Sequence, residues 1–350
     1  MYKMISLFNH KGGVSKTTTT FNLGWMLAEH GKRVVMIDAD PQCNLTGLVL
    51  DYGKTDGLDE FYKKHPTQNI YSGLSAAFES RPEPIAAIKC LPVAGRDGLL
   101  LMPGHVNLTE YEVTLGIAQE LTGSLPALKN LPGAIHYFIS KIAEAEKADF
   151  VVVDMSPSLG AINQNLLMSS DAFLVPAAPD YFSVMAIDSL ATVIPRWLEW
   201  ARRAYGNEVF STAAYPFPNP HVKFLGSVIQ KYRPRKGTAT EGFQTWIDAI
   251  NDRIATRLFP ALEKRGATFP EKIYATAGVG KATAYCLAQI PDFNTLIATS
   301  QSHQTPVFAL EDSMFGHTGV VLEQDQKKRD DFRKIFELLA TRVIALAENA

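Results

Sequence analysis

Near the amino terminus, Lys11-Gly12-Gly13-Val14-Ser15-Lys16-Thr17-Thr18 has the residue types and spacing needed to grip a chain of phosphates. Adjacent glycines let the backbone curl so that successive N–H groups face an anion. A helix starting just after them offers its positive end to the same charge. Lys16 is placed to neutralise β and γ oxygens, the Thr17 hydroxyl to coordinate Mg²⁺, and Thr18 to meet an α-phosphate. The ordinary phosphate-loop pattern GxxxxGK[ST] fails, because His10 and Ser15 stand at its glycine positions, whereas KGGxxK[ST] fits throughout. Lys11, a second lysine at the start of the loop, has no role in the ordinary pattern. Two carboxylate segments follow apolar runs further on: Asp38-Ala39-Asp40-Pro41-Gln42, and Asp154 before Ser156-Pro157-Ser158-Leu159-Gly160. An isolated Asp-x-Asp often only caps the next helix; beside a phosphate loop, a site role is the expected one.

These residues need a frame. Residues 4–8 are apolar, and Phe21, Leu23, Trp25, Met26 and Leu27 recur at roughly helical spacing after the loop, which predicts strand, loop, helix. Gly31 closes that helix, and residues 33–37 form a second run of strand length. Runs at 99–102, 150–154, 172–175 and 224–229 predict further strands. Helical patterns lie at 107–121, 125–147, 161–168 and 181–200, the last expected to be kinked or divided by Pro195. Residues 51–98 are less regular, with a short helical pattern at 70–78, and read as surface elaboration. Strands alternating with helices imply an α/β fold: a doubly wound, mostly parallel sheet with helices on both faces and ligands at the edge where the strands end.

Past residue 229 the pattern is helical. Phe243, Trp246, Ile247, Ile250, Ile254 and Leu258 share one face of 240–258, with Arg253 and Arg257 a turn apart elsewhere on it; Phe332, Ile335, Phe336, Leu339, Val343 and Leu346 do the same in 331–348. One domain spanning 1–350 is expected. Its core covers about 1–242 plus 272–310, with a basic helical region over about 231–272 and a C-terminal helix over about 325–348.

With 46% hydrophobic and 20% charged positions, the 350 residues have the composition of a soluble globular protein able to bury a large core. No cleavable leader pattern or long uninterrupted apolar stretch is present, so a cytoplasmic location is expected. Cys43, Cys90 and Cys286 are far apart and form no CxxC pair, which points to buried thiols. The net charge of −2 argues against a constitutive nucleic-acid coat protein, but it is uneven: residues 195–272 hold 13 Lys/Arg against 7 Asp/Glu, a local +6 that leaves −8 elsewhere. That asymmetry suits either a localised phosphate-backbone contact or a solvated face.

Taken together, Lys11, the loop and the carboxylate segments resemble the ParA/MinD family of deviant Walker A P-loop ATPases, with the ParA-like members of chromosome and plasmid partitioning nearest. The landmarks Leu100-Leu101-Met102-Pro103-Gly104, Val175-Pro176-Ala177-Ala178-Pro179-Asp180-Tyr181-Phe182-Ser183 and Gly226-Ser227-Val228-Ile229-Gln230-Lys231-Tyr232-Arg233 extend it from residue 4 to about 242. The resemblance implies a P-loop NTPase fold with an elaborated C-terminal helical part, and ATP and Mg²⁺ as ligands; the absence of an NKxD guanine-reading pattern agrees. It implies that Lys11 reaches across a homodimer to the partner's nucleotide, so that ATP binding and dimerisation are coupled. Asp40 would position the attacking water in switch I and Asp38 support the Mg²⁺ shell. Asp154 would hold Mg²⁺ through water as the Walker B carboxylate. Ser156 departs from the pair of prolines usual in switch II. Gln230 would contact adenine. The implied activity is slow ATP hydrolysis, with Lys11, Lys16 and Asp40 in catalytic roles, raised by a ParB-like or other stimulating protein.

ParA-type members also bind DNA non-specifically as ATP dimers. Lys231, Arg233, Arg235 and Lys236, with Arg202, Arg203, Arg253 and Arg257, supply suitable charge here and imply nucleoid association in the ATP state. The first strand begins almost at Met1, so an N-terminal helix-turn-helix reader is not expected. Two alternatives remain at this level: MinD-like membrane attachment through the C-terminal segment with Lys327, Lys328, Arg329, Arg333 and Lys334, and a nucleotide-locked protein scaffold. A bridging iron cluster is not expected, because Cys43 sits inside the switch motif.

Overall fold

Apolar runs of strand length separated by amphipathic helices build one sheet. The computed structural model describes residues 2–50, 57–121, 128–235 and 238–350, with backbone only at 234, 235 and 238. β1 (Lys3–Leu7) leads through the glycine loop into α1 (Lys16–Glu29). That helix stops where Gly31 adopts a φ of 77°, with Gly31 N–H reaching Ala28 O at 3.0 Å and Lys32 N–H reaching Leu27 O at 3.1 Å. β2 (Val34–Ala39), α2 (Asn44–Leu50), α3 (Gly57–Lys64), α4 (Ile70–Phe78), β3 (Leu91–Pro92) and β4 (Leu99–Met102) follow, then α5 (Leu108–Glu120), α6 (Leu131–Ala145), β5 (Phe150–Met155), α7 (Ala161–Met168), β6 (Ala172–Ala177) and α8 (Tyr181–Tyr205). The remainder comprises α9 (Glu208–Ser211), β7 (Lys223–Tyr232), the short hairpin β8 (Pro234–Arg235) and β9 (Thr238–Ala239), α10 (Glu241–Arg253), α11 (Phe259–Glu263), α12 (Glu271–Thr276), β10 (Cys286–Pro291), α13 (Leu296–Ser302) and α14 (Gly319–Ala347).

The sheet has eight strands in the order β10-β7-β6-β1-β5-β2-β4-β3, with only the β3–β4 pair antiparallel. β1, β2, β5 and β6 are buried almost throughout, the signature of parallel strands covered on both faces. The order places β1 between β5 and β6 and β5 beside β2, so the glycine loop and both carboxylate segments leave the same edge as neighbours.

Four expectations change. α8 runs undivided through Pro195: Ile194, Trp197 and Leu198 are buried, and α10 and α11 pack along the helix, so tertiary contact outweighs the missing backbone hydrogen bond. The region 51–98 is more than surface, because Ile70 and Leu74 of α4 lie in the core and Gly73 packs against the Phe138 ring of α6. The helix expected at 240–258 extends to Glu263 through a π turn at Ile254–Leu258. The C-terminal helix begins at Gly319, well before its apolar stripe. The helix expected at 125–147 is seen as α6 over Leu131–Ala145; residues 125–127 lie outside the described residues.

Phe332, Phe336, Leu339, Val343 and Leu346 of α14 are buried, with α14 packed on α1 and β10; burying each such side chain contributes about 1.5–3 kcal/mol. Arg333 pairs with Glu29 at 2.7 Å and Lys328 with Asp325 at 2.9 Å. The stripe on which a membrane-surface reading would depend is therefore core. Among the described residues, no helix is long and apolar enough to cross a membrane.

Candidate nucleotide-binding site

The loop after β1 is shaped for an anion. Gly13 has a φ of 74° and Ser15 one of 57°, so the second glycine position of the ordinary pattern is filled by a left-handed serine. Ser15 makes no side-chain cap and the first turn of α1 carries no acid, which leaves the opening N–H groups of α1 pointing into a cavity of about 700 Å³. Gly12, Gly13, Val14, Ser15, Lys16, Thr17 and Thr18 all line that cavity. Lys16 is buried, and its ammonium donates to Asn9 O at 2.9 Å and Lys11 O at 3.2 Å. Burial lowers its pKa, an effect that Asp154 and Asp40 oppose.

The strand register brings the carboxylates together. Asp38 of β2 stands opposite Asp154 of β5, and Asp154 stands opposite Leu7 at the end of β1. Both oxygens of Asp154 are buried without a hydrogen-bond partner, although the Thr17 hydroxyl lies near enough to favour ionisation. Burial, then Asp38, drives its pKa well up. A fully buried carboxylate with idle oxygens beside a threonine hydroxyl fits a hydrated Mg²⁺ held by Thr17 and Asp154.

Asp38 is already engaged. Its Oδ2 accepts from Thr46 N–H at 2.8 Å and Thr46 Oγ1 at 2.6 Å, and its Oδ1 accepts from Asp40 N–H at 3.2 Å. Burial raises its pKa to about 6 despite these bonds. Thr46 Oγ1 in turn accepts from Gly104 N–H at 2.9 Å, so Asp38 ties α2 to the loop after β4. Asp40, by contrast, lines the cavity and accepts from Gln42 N–H at 3.0 Å. In the loop after β5, the Asn163 amide donates to Ser156 O at 2.8 Å and Ser158 O at 2.9 Å, a clasp on both serines.

Gln230 lies under the loop, donating to Thr19 Oγ1 at 2.6 Å and Val14 O at 3.3 Å. It is buried, so it shapes the loop as well as lining the cavity. Lys231, grouped in the sequence with the basic surface, instead donates to Gly13 O at 2.9 Å and also lines the cavity. Pro291, Asp292 and Phe293 close the far end, a wall that no sequence motif announced. Lys11 turns away from the loop: its ammonium pairs with Asp180 at 2.6 Å and donates to Ser183 Oγ at 3.2 Å. Burial raises the Asp180 carboxyl, but the Lys11 ammonium and the Ser183 N–H outweigh it and hold it below its usual value. In the sequence Asp180 stood only within the landmark 175–183; here it also caps α8, accepting from Ser183 N–H at 2.8 Å.

The other basic candidates with described side chains each have a neighbour that the structure describes. Arg202 donates to Arg265 O near the end of α8, and Arg203 faces a groove with Glu112 and Glu120. Arg253 pairs with Asp188 at 3.5 Å and Arg257 lies by the same aspartate, while Arg233 approaches Asp292 at 4.0 Å near the nucleotide cavity. The Arg235 side chain and Lys236 lie outside the described residues.

The family described as AAA domain matches residues 2–203, more than half of the chain. An uncharacterized protein of Methanocaldococcus jannaschii is 30% identical over 231 residues, 65% of this chain and 73% of that protein. The sporulation initiation inhibitor protein Soj of Bacillus subtilis is 30% identical over 195 residues, 55% of this chain and 65% of Soj. The chromosome partitioning protein ParA of Caulobacter vibrioides is 30% identical over 200 residues, 55% of this chain and 62% of ParA. Among solved structures, a Corynebacterium diphtheriae protein superposes with a TM-score of 0.65 at 23% identity, covering 99% of this chain and 100% of that one. The pNOB8 ParA bound to nonspecific DNA superposes with a TM-score of 0.54 at 17% identity, covering 100% and 99%. These two likenesses are of fold, and they agree with the phosphate loop and the sheet order. The chain belongs to the AAA domain family, in its ParA/MinD group of P-loop proteins.

Proposed function

We propose that the protein is a switch that binds ATP and Mg²⁺ in the cavity at α1, dimerises around the nucleotide, grips DNA without sequence preference, and resets by slow hydrolysis aided by a partner protein, so as to partition or position DNA or another cargo. One observation carries the nucleotide reading. The uncapped N-terminus of α1 and Lys16 line one cavity, and the partnerless Asp154 carboxylate is buried beside Lys16 and the Thr17 hydroxyl. In this reading the opening N–H groups of α1 cradle the phosphates, and Lys16 leaves Asn9 O to neutralise the β and γ oxygens. Thr17 and Asp154 hold Mg²⁺, whose charge offsets that on the phosphates. Asp40, facing the cavity, orients the attacking water.

Dimerisation draws support from the surface around Lys11. Tyr181, Phe182 and Met185 are all more than half exposed beside its ion pair, an apolar patch of the kind a second copy covers. DNA binding draws support from the pNOB8 relative, which is bound to nonspecific DNA. The carboxylates beside Arg233 and Arg253 favour a second reading, a positioning scaffold that dimerises but leaves DNA alone.

DNA binding measured in ATP, in ADP and without nucleotide, with oligomeric state recorded in the same samples, separates the two. Dimers that bind DNA only in ATP, and lose it in an Arg233→Glu/Arg235→Glu variant with unchanged ATP affinity, support the first reading. ATP-dependent dimers that ignore DNA support the scaffold. A Lys16→Ala protein that still binds ATP would sink both.

A further inference from the structure

The last turn of α10, the loop before β10 and the second half of α14 border a second cavity, of about 600 Å³, which shares no lining residue with the nucleotide cavity. Its size suits a small organic molecule. Two backbone irregularities meet on its wall. Ala284 and Tyr285 are successive non-glycine residues in the left-handed region, with φ of 48° and 56°, and the π turn at Ile254–Leu258 brings Ala255 to the same cavity. The left-handed pair is held firmly. Tyr285 stacks on Phe259 with ring centroids 3.8 Å apart and donates its hydroxyl to Glu271 at 3.0 Å, and the other oxygen of Glu271 accepts from Lys281 N–H at 2.9 Å. Strain that surrounding contacts keep in place clusters at binding sites.

The polar groups on this wall are of two kinds. Lys281 and Arg342 are the cations. The Arg342 fork is fixed, donating from Nη1 to Leu287 O at 2.6 Å and from Nη2 to Gly278 O at 3.2 Å, and its Nε is buried without a partner. Asp252 and Asn251 are the acceptors, and Asn251 Oδ1 is likewise buried without a partner. Neither the Lys281 ammonium nor the Asp252 carboxylate has a partner among the described residues, so both are available to a ligand. Ile335 and Leu338, the latter 45% exposed, add apolar surface from α14. Cations, acceptors and an apolar wall on one cavity match a molecule that carries a carboxylate, an ammonium and an apolar side chain. We propose that this cavity binds a small zwitterion of the apolar amino-acid and dipeptide class, its carboxylate toward Lys281 and Arg342 and its ammonium toward Asp252 and Asn251. The site stands apart from the ATP-switch reading and does not rest on it.

The test uses the full chain and calorimetric titration with leucine, valine, phenylalanine, leucyl-leucine and leucyl-phenylalanine, each beside its C-terminal amide and its N-acetyl form. At least one free form should bind with a Kd below about 1 mM. Its two blocked forms should bind about tenfold or more weakly, because each loses one charge-assisted contact. Lys281→Glu should erase the difference between acid and amide, and Asp252→Asn the difference between free and acetylated amine. Both side chains are exposed, so neither change disturbs the core, and circular dichroism verifies the fold. Failure of every member to bind, equal affinity of free and blocked forms, or a Lys281→Glu variant that still prefers the acid overturns the site. Affinity lost in Lys16→Ala would place the ligand in the nucleotide cavity, and overturns it too. A Lys281→Glu variant that loses DNA binding, while no member of the panel binds the wild type, would assign this edge to a phosphate backbone and overturns the zwitterion site.

Discussion

Asp180→Asn removes a charge while keeping a helix cap, because asparagine serves as well as aspartate ahead of α8. What it loses is the hold on Lys11. In this structure the 2.6 Å pair keeps the Lys11 ammonium against its own α8, and on the proposed switch the pair would have to break before Lys11 could reach a partner's nucleotide. The two side chains are 19% and 42% exposed, so the pair is half open to water and contributes about 0.2–1 kcal/mol. A symmetric dimer breaks two such pairs, about 0.4–2 kcal/mol in all, which corresponds to roughly two- to thirtyfold in the dimerisation constant. Sedimentation velocity across a protein dilution series in ATP and Mg²⁺ reads this directly, with Asp40→Ala as background to suppress hydrolysis. Circular dichroism confirms that α8 is intact. Asp180→Asn should dimerise at lower concentration with unchanged ATP affinity. Dimerisation that is equal or weaker would refute the idea that this ion pair opposes assembly.

Other outcomes follow from single contacts. Gln230→Ala leaves Thr19 Oγ1 and Val14 O without their buried donor, a cost of about 1–3 kcal/mol, and should weaken ADP·Mg²⁺ binding in calorimetry; unchanged affinity would mean that Gln230 does not shape the loop. Gly226 has a φ of 149° and a Cβ there would lie 2.3 Å from Tyr285 O, so Gly226→Ala should lower the urea midpoint by an amount equivalent to about 2–4 kcal/mol. His221 bonds Asp171 at 2.9 Å, which raises its pKa above the ordinary 6.5 against the opposing effect of burial. The folded state therefore favours the imidazolium: its contribution is full below pH 6.5 and fades as pH rises through the folded value. His221→Gln should then cost up to about 1 kcal/mol at pH 6 and nothing by pH 9 in paired urea melts. Asp40→Ala should bind ATP and accumulate as dimer, and normal hydrolysis in that variant would remove Asp40 from its role.

The glycine loop, the strands around it and Asp154 were readable because each signal is local: a lysine-glycine spacing, or an apolar run ending in a carboxylate. The partners of those residues were not. That Thr46 engages Asp38 while Asp40 of the same segment faces the cavity depends on how α2 folds back, eight residues away. Gln230 and Thr19 meet across 211 positions, and Lys11 meets Asp180 across 169. Such pairs exist only once β7 and β6 take their places in the sheet. Pro195 misled for the converse reason: a local rule about hydrogen bonding yielded to packing along the whole of α8. The early start of α14 had no apolar periodicity to reveal it, since its first turns hold Val320, Val321 and Leu322 as a run and then Glu323 and Gln324.

The length of α8 has a mechanical consequence. With 25 residues, it spans about 37 Å, from the aspartate that clasps Lys11 to the arginines at its far end. A rod of that length magnifies motion: a tilt of about 5° pivoting at Asp180 carries Arg202 through roughly 3 Å. Any tilt of α8 set off by releasing the short ion pair at its start would therefore appear as a displacement of about two bond lengths at its far end.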